Sequence, residues 1–321
     1  MKYRDSAIDL LRTIGILLIF AAHCSLSERV HDFREFDVVL LFFVSGMSFA
    51  CSKFTFTKEN YLNYLKKRLI RLVLPAWTYL FFFFVFFYFV PGYHFTAMDM
   101  IKSFLFTSGG IMFVWVYRVF IGTAVTTPLF LHWFRNLSDK LIILGTVPVL
   151  LINDLIYTKV LLNLPNETIS DLLTYLITYT IGYGIITFLG ARYLKFEQKD
   201  RILMTAVDAI VFVALAVFFR LDHLEAYKFP PRTYYISYGL MWSGCLYLVL
   251  SKYYTKSIPF VSWVSANCMR LYLAHIALYY LFFPYLPNTL SQYVVLFGGS
   301  CIQVLLYNAC EKWIKERKKL A

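Results

Sequence analysis

Charge is scarce in this sequence. Only 16% of its 321 residues are Asp, Glu, Lys or Arg, and only 19 are acidic, whereas soluble domains carry about 25% charged residues. That deficit excludes an ordinary soluble enzyme, a disordered chain and a fibrous one. Cysteine is sparse too. Cys24, Cys51, Cys245, Cys268, Cys301 and Cys310 lie in or at the ends of apolar segments, with no C-x-x-C spacing and no matching histidine pattern. They read as small buried hydrophobes, not as a disulfide framework or a zinc site. No internal repeat is present, and the phenylalanine run near residues 81–89 is the one biased tract.

What replaces charge is apolar surface. Hydrophobic residues make up 60% of the chain and aromatics 20%, and the mean hydropathy is +0.62. Apolar runs long enough to cross a bilayer recur along its length, so the expected class is an all-α, polytopic membrane helical bundle. The runs are continuous, not alternating, which selects helices over a β-barrel. Ten spans are predicted, at 7–25, 37–52, 70–91, 110–134, 141–158, 171–191, 202–220, 234–251, 262–284 and 290–311. At about 20 residues each, they leave only short loops, so residues 1–321 read as one membrane domain with no appended soluble domain. The first apolar stretch carries charges and no small-residue cleavage site, and is expected to be a retained span.

The net charge of +12 does not point to nucleic acid, because the basic residues sit in short loops beside the apolar runs. In alternate loops, 21 Lys and Arg fall on the side of both termini and 7 on the other. The first set includes Lys2, Arg4, Lys66, Lys67, Arg68, Arg71, Lys140 and the tail cations, Lys318 and Lys319 among them. The second includes Arg34, Lys102, Lys228 and Arg232. This asymmetry predicts cytoplasmic termini. Residues 59–71 (ENYLNYLKKRLIR) form a basic, partly amphipathic helix leading into the third span.

Ionisable groups inside spans are costly, and face a partner or a cavity. Asp9 and Arg12 are three residues apart, share a helix face and can pair. Eleven residues separate Arg12 from His23. At about 100° per residue this returns to nearly the same face, about 16 Å further along. Arg118 in the fourth span needs a carboxylate, backbone carbonyls or an anionic ligand, with the Asp9 face of the first span as a candidate. In the ninth span Tyr272 and His275 share a face, while Arg270 points elsewhere. The two histidines can form a proton relay, a metal pair or an acid/base pair. No carboxylate or cysteine stands at ligand spacing, so no metal site is expected.

These residues carry a resemblance. The Arg12-x10-His23 spacing resembles the start of the acyltransferase family 3 membrane O-acyltransferases. Phe43, Ser45 and Gly46 are similar to the family's F-x-S-G core, and Arg68, Arg71 and Pro75 to its R-x-x-R-x-x-x-P element. FVWVYRVFI (113–121) is similar to its tryptophan-and-arginine stretch, and SANCMRLYLAH (265–275) to its late S…YL-x-H element. The resemblance spans nearly the whole chain. A C-terminal hydrolase-like domain carried by some members has no counterpart here.

The resemblance implies transfer of an acyl group, usually acetyl, from cytoplasmic acyl-CoA to a hydroxyl of an extracytoplasmic glycan, at the plasma or inner membrane. Acetyl-CoA enters as a donor substrate; no permanently bound cofactor is implied. Arg68 and Arg71, with Lys67, can clamp the donor phosphates, and Arg118 joins them as a donor-binding residue. His23 takes the hydroxyl proton or briefly carries the acyl group. Arg12, held by Asp9, contacts phosphate or orients the donor, and His275 lines the cavity or acts as partner base. Substrate contacts fall to Ser45, Trp115 and Tyr272. The competing class is an exporter of glycan or small anions, which would show paired broken helices in two related halves. The expected partners are acyl-CoA, a glycan acceptor and the lipid bilayer.

Overall fold

The computed structural model describes residues 6–107, 109–254 and 256–320, with the side chains of 318–320 left out. The anchors Lys2 and Arg4 and the terminal Ala321 lie outside these residues, as do the side chains of Lys318 and Lys319. Every regular element among the described residues is helical. The chain runs through α1 (Ser6–Ala22), α2 (Glu28–Arg34), α3 (Asp37–Ala50), α4 (Lys58–Tyr88), α5 (Ala97–Phe104), α6 (Trp115–Trp133) and α7 (Asp139–Lys159). It continues through α8 (Glu167–Leu173), α9 (Thr180–Tyr193), α10 (Gln198–Phe218) and α11 (Thr233–Tyr253). The last four are α12 (Pro259–Ala266), α13 (Cys268–Phe282), α14 (Thr289–Tyr293) and α15 (Gly299–Leu320). Single π-helical turns join α8 to α9 and α14 to α15.

A helix occupies each of the ten apolar segments, but five reach the length and hydropathy of a bilayer span: Lys58–Tyr88, Asp139–Asn163, Glu167–Tyr193, Gln198–Phe218 and Thr289–Arg317. The shortfall has physical reasons. With 14 residues α3 is about 21 Å long, and with 17 residues α1 is about 25 Å, against a hydrocarbon core of about 30 Å. Both are enclosed by other helices, α3 by α1, α9 and α11. In α11 five tyrosines lower the hydropathy. The segment 262–284 is interrupted at Asn267, whose side-chain amide donates to the Trp263 carbonyl at 2.9 Å, ending α12 and starting α13.

The centre is the crossing of α3 and α9, where small residues bring two backbones together. A Cβ at Gly46 would stand 1.9 Å from the Thr187 carbonyl oxygen, and one at Gly190 2.0 Å from that of Phe43. Val39, Leu40, Phe42, Phe43, Val44 and Met47 of α3 are fully buried. The phenylalanines of α4 divide by helical period. Phe83, Phe84 and Phe87 turn into the bundle, whereas Phe81, Phe82 and Phe86 are exposed as lipid-facing residues would be.

Candidate functional site

One cavity of about 1770 Å³ lies within the helical bundle beside α1 and α3. Its two ends differ in charge. Lys53 after α3, Lys67, Arg68 and Arg71 on α4, and Arg270 on α13 line one end. The carboxylates that line the cavity, Asp37 and Glu225, belong to the other end, with His31, Arg34 and Lys228. α4 is fixed at the basic end by its Thr57 cap, whose hydroxyl accepts from the Asn60 amide at 3.1 Å, and by Tyr64 packing edge-on to Phe49 of α3. Among the described residues, Lys67, Arg68 and Arg71 join no ion pair, and the buried Nε of Arg68 has no hydrogen-bond partner. The α4 cations therefore make the basic end an anion-attracting field.

Arg12 lines the cavity further in. Its guanidinium lies 3.8 Å from Asp9, the pairing expected of that helix face. It donates to Ser265 Oγ of α12 at 2.8 Å and to Ser48 Oγ of α3. Ser265 in turn donates to Asp9 at 2.6 Å. Three helices thus hold one cation in a fixed orientation.

His23 lies just past the end of α1 and lines the same cavity. Its ring stacks on His275 of α13, centroids 4.9 Å apart and planes within 11°, and rests against Phe113 at 4.2 Å. His275 is fully buried behind it. The Nδ1 of His275 donates to the Tyr272 carbonyl one helical turn back, which leaves Nε2 as a lone pair. That Nε2 is buried and has no hydrogen-bond partner. Phe113 adopts φ 77°, a left-handed conformation that costs a bulky residue energy and is found at over-determined positions. What over-determines it is Tyr272, whose hydroxyl donates to the Phe113 carbonyl at 2.7 Å, together with the packing of its ring on both histidines.

At the rim opposite the basic end stands a buried ionic network. Arg34 meets Asp37 and Glu35 at 2.6 Å each. Lys228 reaches Glu35 at 2.9 Å and Asp37 at 3.9 Å. All four are nearly inaccessible, and two cations balance two anions, which is what burial of charge demands. His223 and Asp32 form a second link between the α2 region and the segment before α11, at 2.7 Å on the exposed surface. The Asp32 carboxylate holds the His223 imidazole above its ordinary value. His31 is pushed below its ordinary value by burial and by the Arg34 guanidinium. As sequence, Arg34 and Lys228 counted only as loop cations, and Glu35 and Asp37 were not among the candidate residues. Three charges within four positions before an apolar run were the available signal.

Of the residues singled out from sequence, Arg12, His23, Ser45, Lys67, Arg68, Arg71, Trp115 and Tyr272 line this cavity. Asp9 and His275 stand behind Arg12 and His23. Arg118 does not line it. Its guanidinium sits 3.9 Å over the Tyr175 ring, and the Tyr175 hydroxyl donates to its carbonyl at 2.6 Å. The contact it makes is with an aromatic face, on the side of the turn between α8 and α9, and its buried Nε has no hydrogen-bond partner.

A model of acyltransferase family 3, described as an acyltransferase domain, matches residues 5–308. The match covers essentially the whole chain, and the chain belongs to this family. No curated protein and no solved structure matches it.

Proposed function

With membership of that family as the premise, we propose that this acyltransferase moves an acyl group, acetyl as the working case, from acyl-CoA at the basic end of the cavity to a hydroxyl of a glycan at the other end. In this reading the basic end faces the cytoplasm, the ten helical segments span the plasma or inner membrane, and both termini are cytoplasmic. The carrying observation is the single cavity, basic at one end, with His23 on its wall toward the other.

The donor phosphates meet Lys67, Arg68 and Arg71 through charge-assisted hydrogen bonds, and the pantetheine arm lies past Arg12 toward His23. His23 then accepts the proton of the acceptor hydroxyl as its oxygen attacks the thioester carbonyl. The C–S bond breaks, the CoA thiolate leaves and takes up a proton, and the ester remains on the glycan. Ser45, Trp115 and Tyr272 line the path of the two substrates. Arg118 is left out of donor binding.

The test is mass spectrometry of surface glycan from cells with and without the protein, scored as acyl groups per sugar and as total glycan. The reading expects the acyl mass to vanish with total glycan unchanged. Loss of glycan at constant acylation per sugar would instead support export.

A further inference from the structure

The family and the proposed donor account for the cations on α4, but not for Arg270. This arginine lines the basic end of the main cavity and also a second, shallow cavity of about 450 Å³ beside α15. It is the residue shared by the two. Its guanidinium donates to Asn308 Oδ1 and lies 2.9 Å from Glu311, over the Tyr307 ring at 4.8 Å. Glu311 is also 2.5 Å from Lys315, so one carboxylate serves two cations. Lys312, Lys315 and Glu316 complete the second cavity.

The chemistry of the donor asks for such a second station. Coenzyme A carries its charge at two separated places, a pyrophosphate and a ribose 3′-phosphate. The pyrophosphate is joined to the pantetheine arm and must stay where that arm enters, against Arg68 and Arg71. The 3′-phosphate, off the line of that arm, is free to meet another cation of the same end, and Arg270 is one. We propose that Arg270, with Lys315 beside it, binds the 3′-phosphate of the donor, and that Glu311 and Asn308 hold the guanidinium in place until the phosphate takes over from Glu311. This rests on acyl-CoA being the donor. It adds a specificity that the α4 cations do not supply, discrimination of coenzyme A from its 3′-dephospho form. A planar guanidinium already oriented by α15 loses little freedom on meeting a phosphate.

The experiment is calorimetric titration of the purified full-length protein in nanodiscs with coenzyme A and with 3′-dephospho-coenzyme A. The wild type is expected to bind coenzyme A about tenfold tighter, the value of one charge-assisted contact. Arg270→Ala should bring the ratio of the two affinities close to one while leaving the dephospho affinity unchanged, and Arg270→Lys should keep part of the preference. Glu311→Gln should raise the ratio, because the phosphate no longer competes with a carboxylate. Retention of the dephospho affinity certifies that each variant is folded. An unchanged ratio in Arg270→Ala overturns the assignment. An unchanged or lowered ratio in Glu311→Gln overturns the handover from carboxylate to phosphate. If the wild type binds neither ligand, the acyl-CoA reading itself falls, and the inference with it.

Discussion

The imidazole of His23 lies flat on that of His275, 4.9 Å between centroids, so the two histidines on the first and ninth apolar segments act as one unit. Only His23 borders the cavity. His275 supplies a surface that fixes the plane of the His23 ring. His23→Ala should lower acyl transfer by at least about 10²-fold with acyl-CoA binding intact. His275→Ala should lower kcat about tenfold with KM for acyl-CoA unchanged, a positioning loss. His275→Phe keeps the stack and gives up the Nδ1 bond to the Tyr272 carbonyl and a Nε2 that has no partner, so it should retain most of the turnover. Equal, severe losses in the Phe and Ala variants would make His275 a proton carrier instead.

Donor binding should depend on the α4 cations. Arg68→Ala and Arg71→Ala should each weaken acyl-CoA binding by about 1.5–3 kcal/mol, with little change in protein level. Rising salt should narrow the gap to wild type, as expected for a partly hydrated field. Coenzyme A affinity that stays constant in both variants would reduce these arginines to topological anchors.

The α3–α9 crossing leaves no room for a side chain. Gly46→Leu should destabilise the protein by at least about 1–3 kcal/mol, read as a lower midpoint of thermal unfolding in detergent. Because the clash is with backbone at 1.9 Å, no rotamer relieves it. A Gly46→Leu protein with wild-type stability would show that the two helices do not meet so closely.

The His223–Asp32 pair is a pH-dependent link. Pairing with Asp32 raises the His223 pKa in the folded protein, so the contribution is complete below the ordinary value of 6.5 and fades as pH rises through the folded value. His223→Gln should therefore lower the unfolding midpoint at about pH 5.5 and leave it unchanged at about pH 9. The opposite order would mean that the pair is not made in solution.

Orientation can be read directly. Reporter fusions at Lys140 and Ala321 should give cytoplasmic signals, and fusions at Lys102 and Lys228 extracytoplasmic ones. A cytoplasmic signal at Lys102 would break the charge asymmetry from which the topology follows.

Much of this was legible in the sequence because it is local. The helical class follows from continuous apolar runs. The Asp9–Arg12 pair follows from a three-residue spacing. The common cavity of Arg12 and His23 follows from eleven residues of helical rotation. Long-range partners are another matter. Nothing in one sequence says that His23 meets His275, or that Arg118 faces Tyr175. Burial was misleading for span length: a short apolar helix such as α3 can serve as a core element enclosed by other helices. The left-handed backbone of Phe113 was invisible, since no glycine marks it.

The ionic network at the rim opposite the basic end also bears on how the chain is built. Arg34, Glu35 and Asp37 leave the ribosome early, while Lys228, which reaches Glu35, is 193 residues further along. Until it arrives, the early trio holds one cation against two carboxylates, an imbalance that resists burial. The rim is therefore completed only once the later half of the chain has been threaded into the bilayer. A truncated product ending before residue 228 would present that rim with two carboxylates against one arginine.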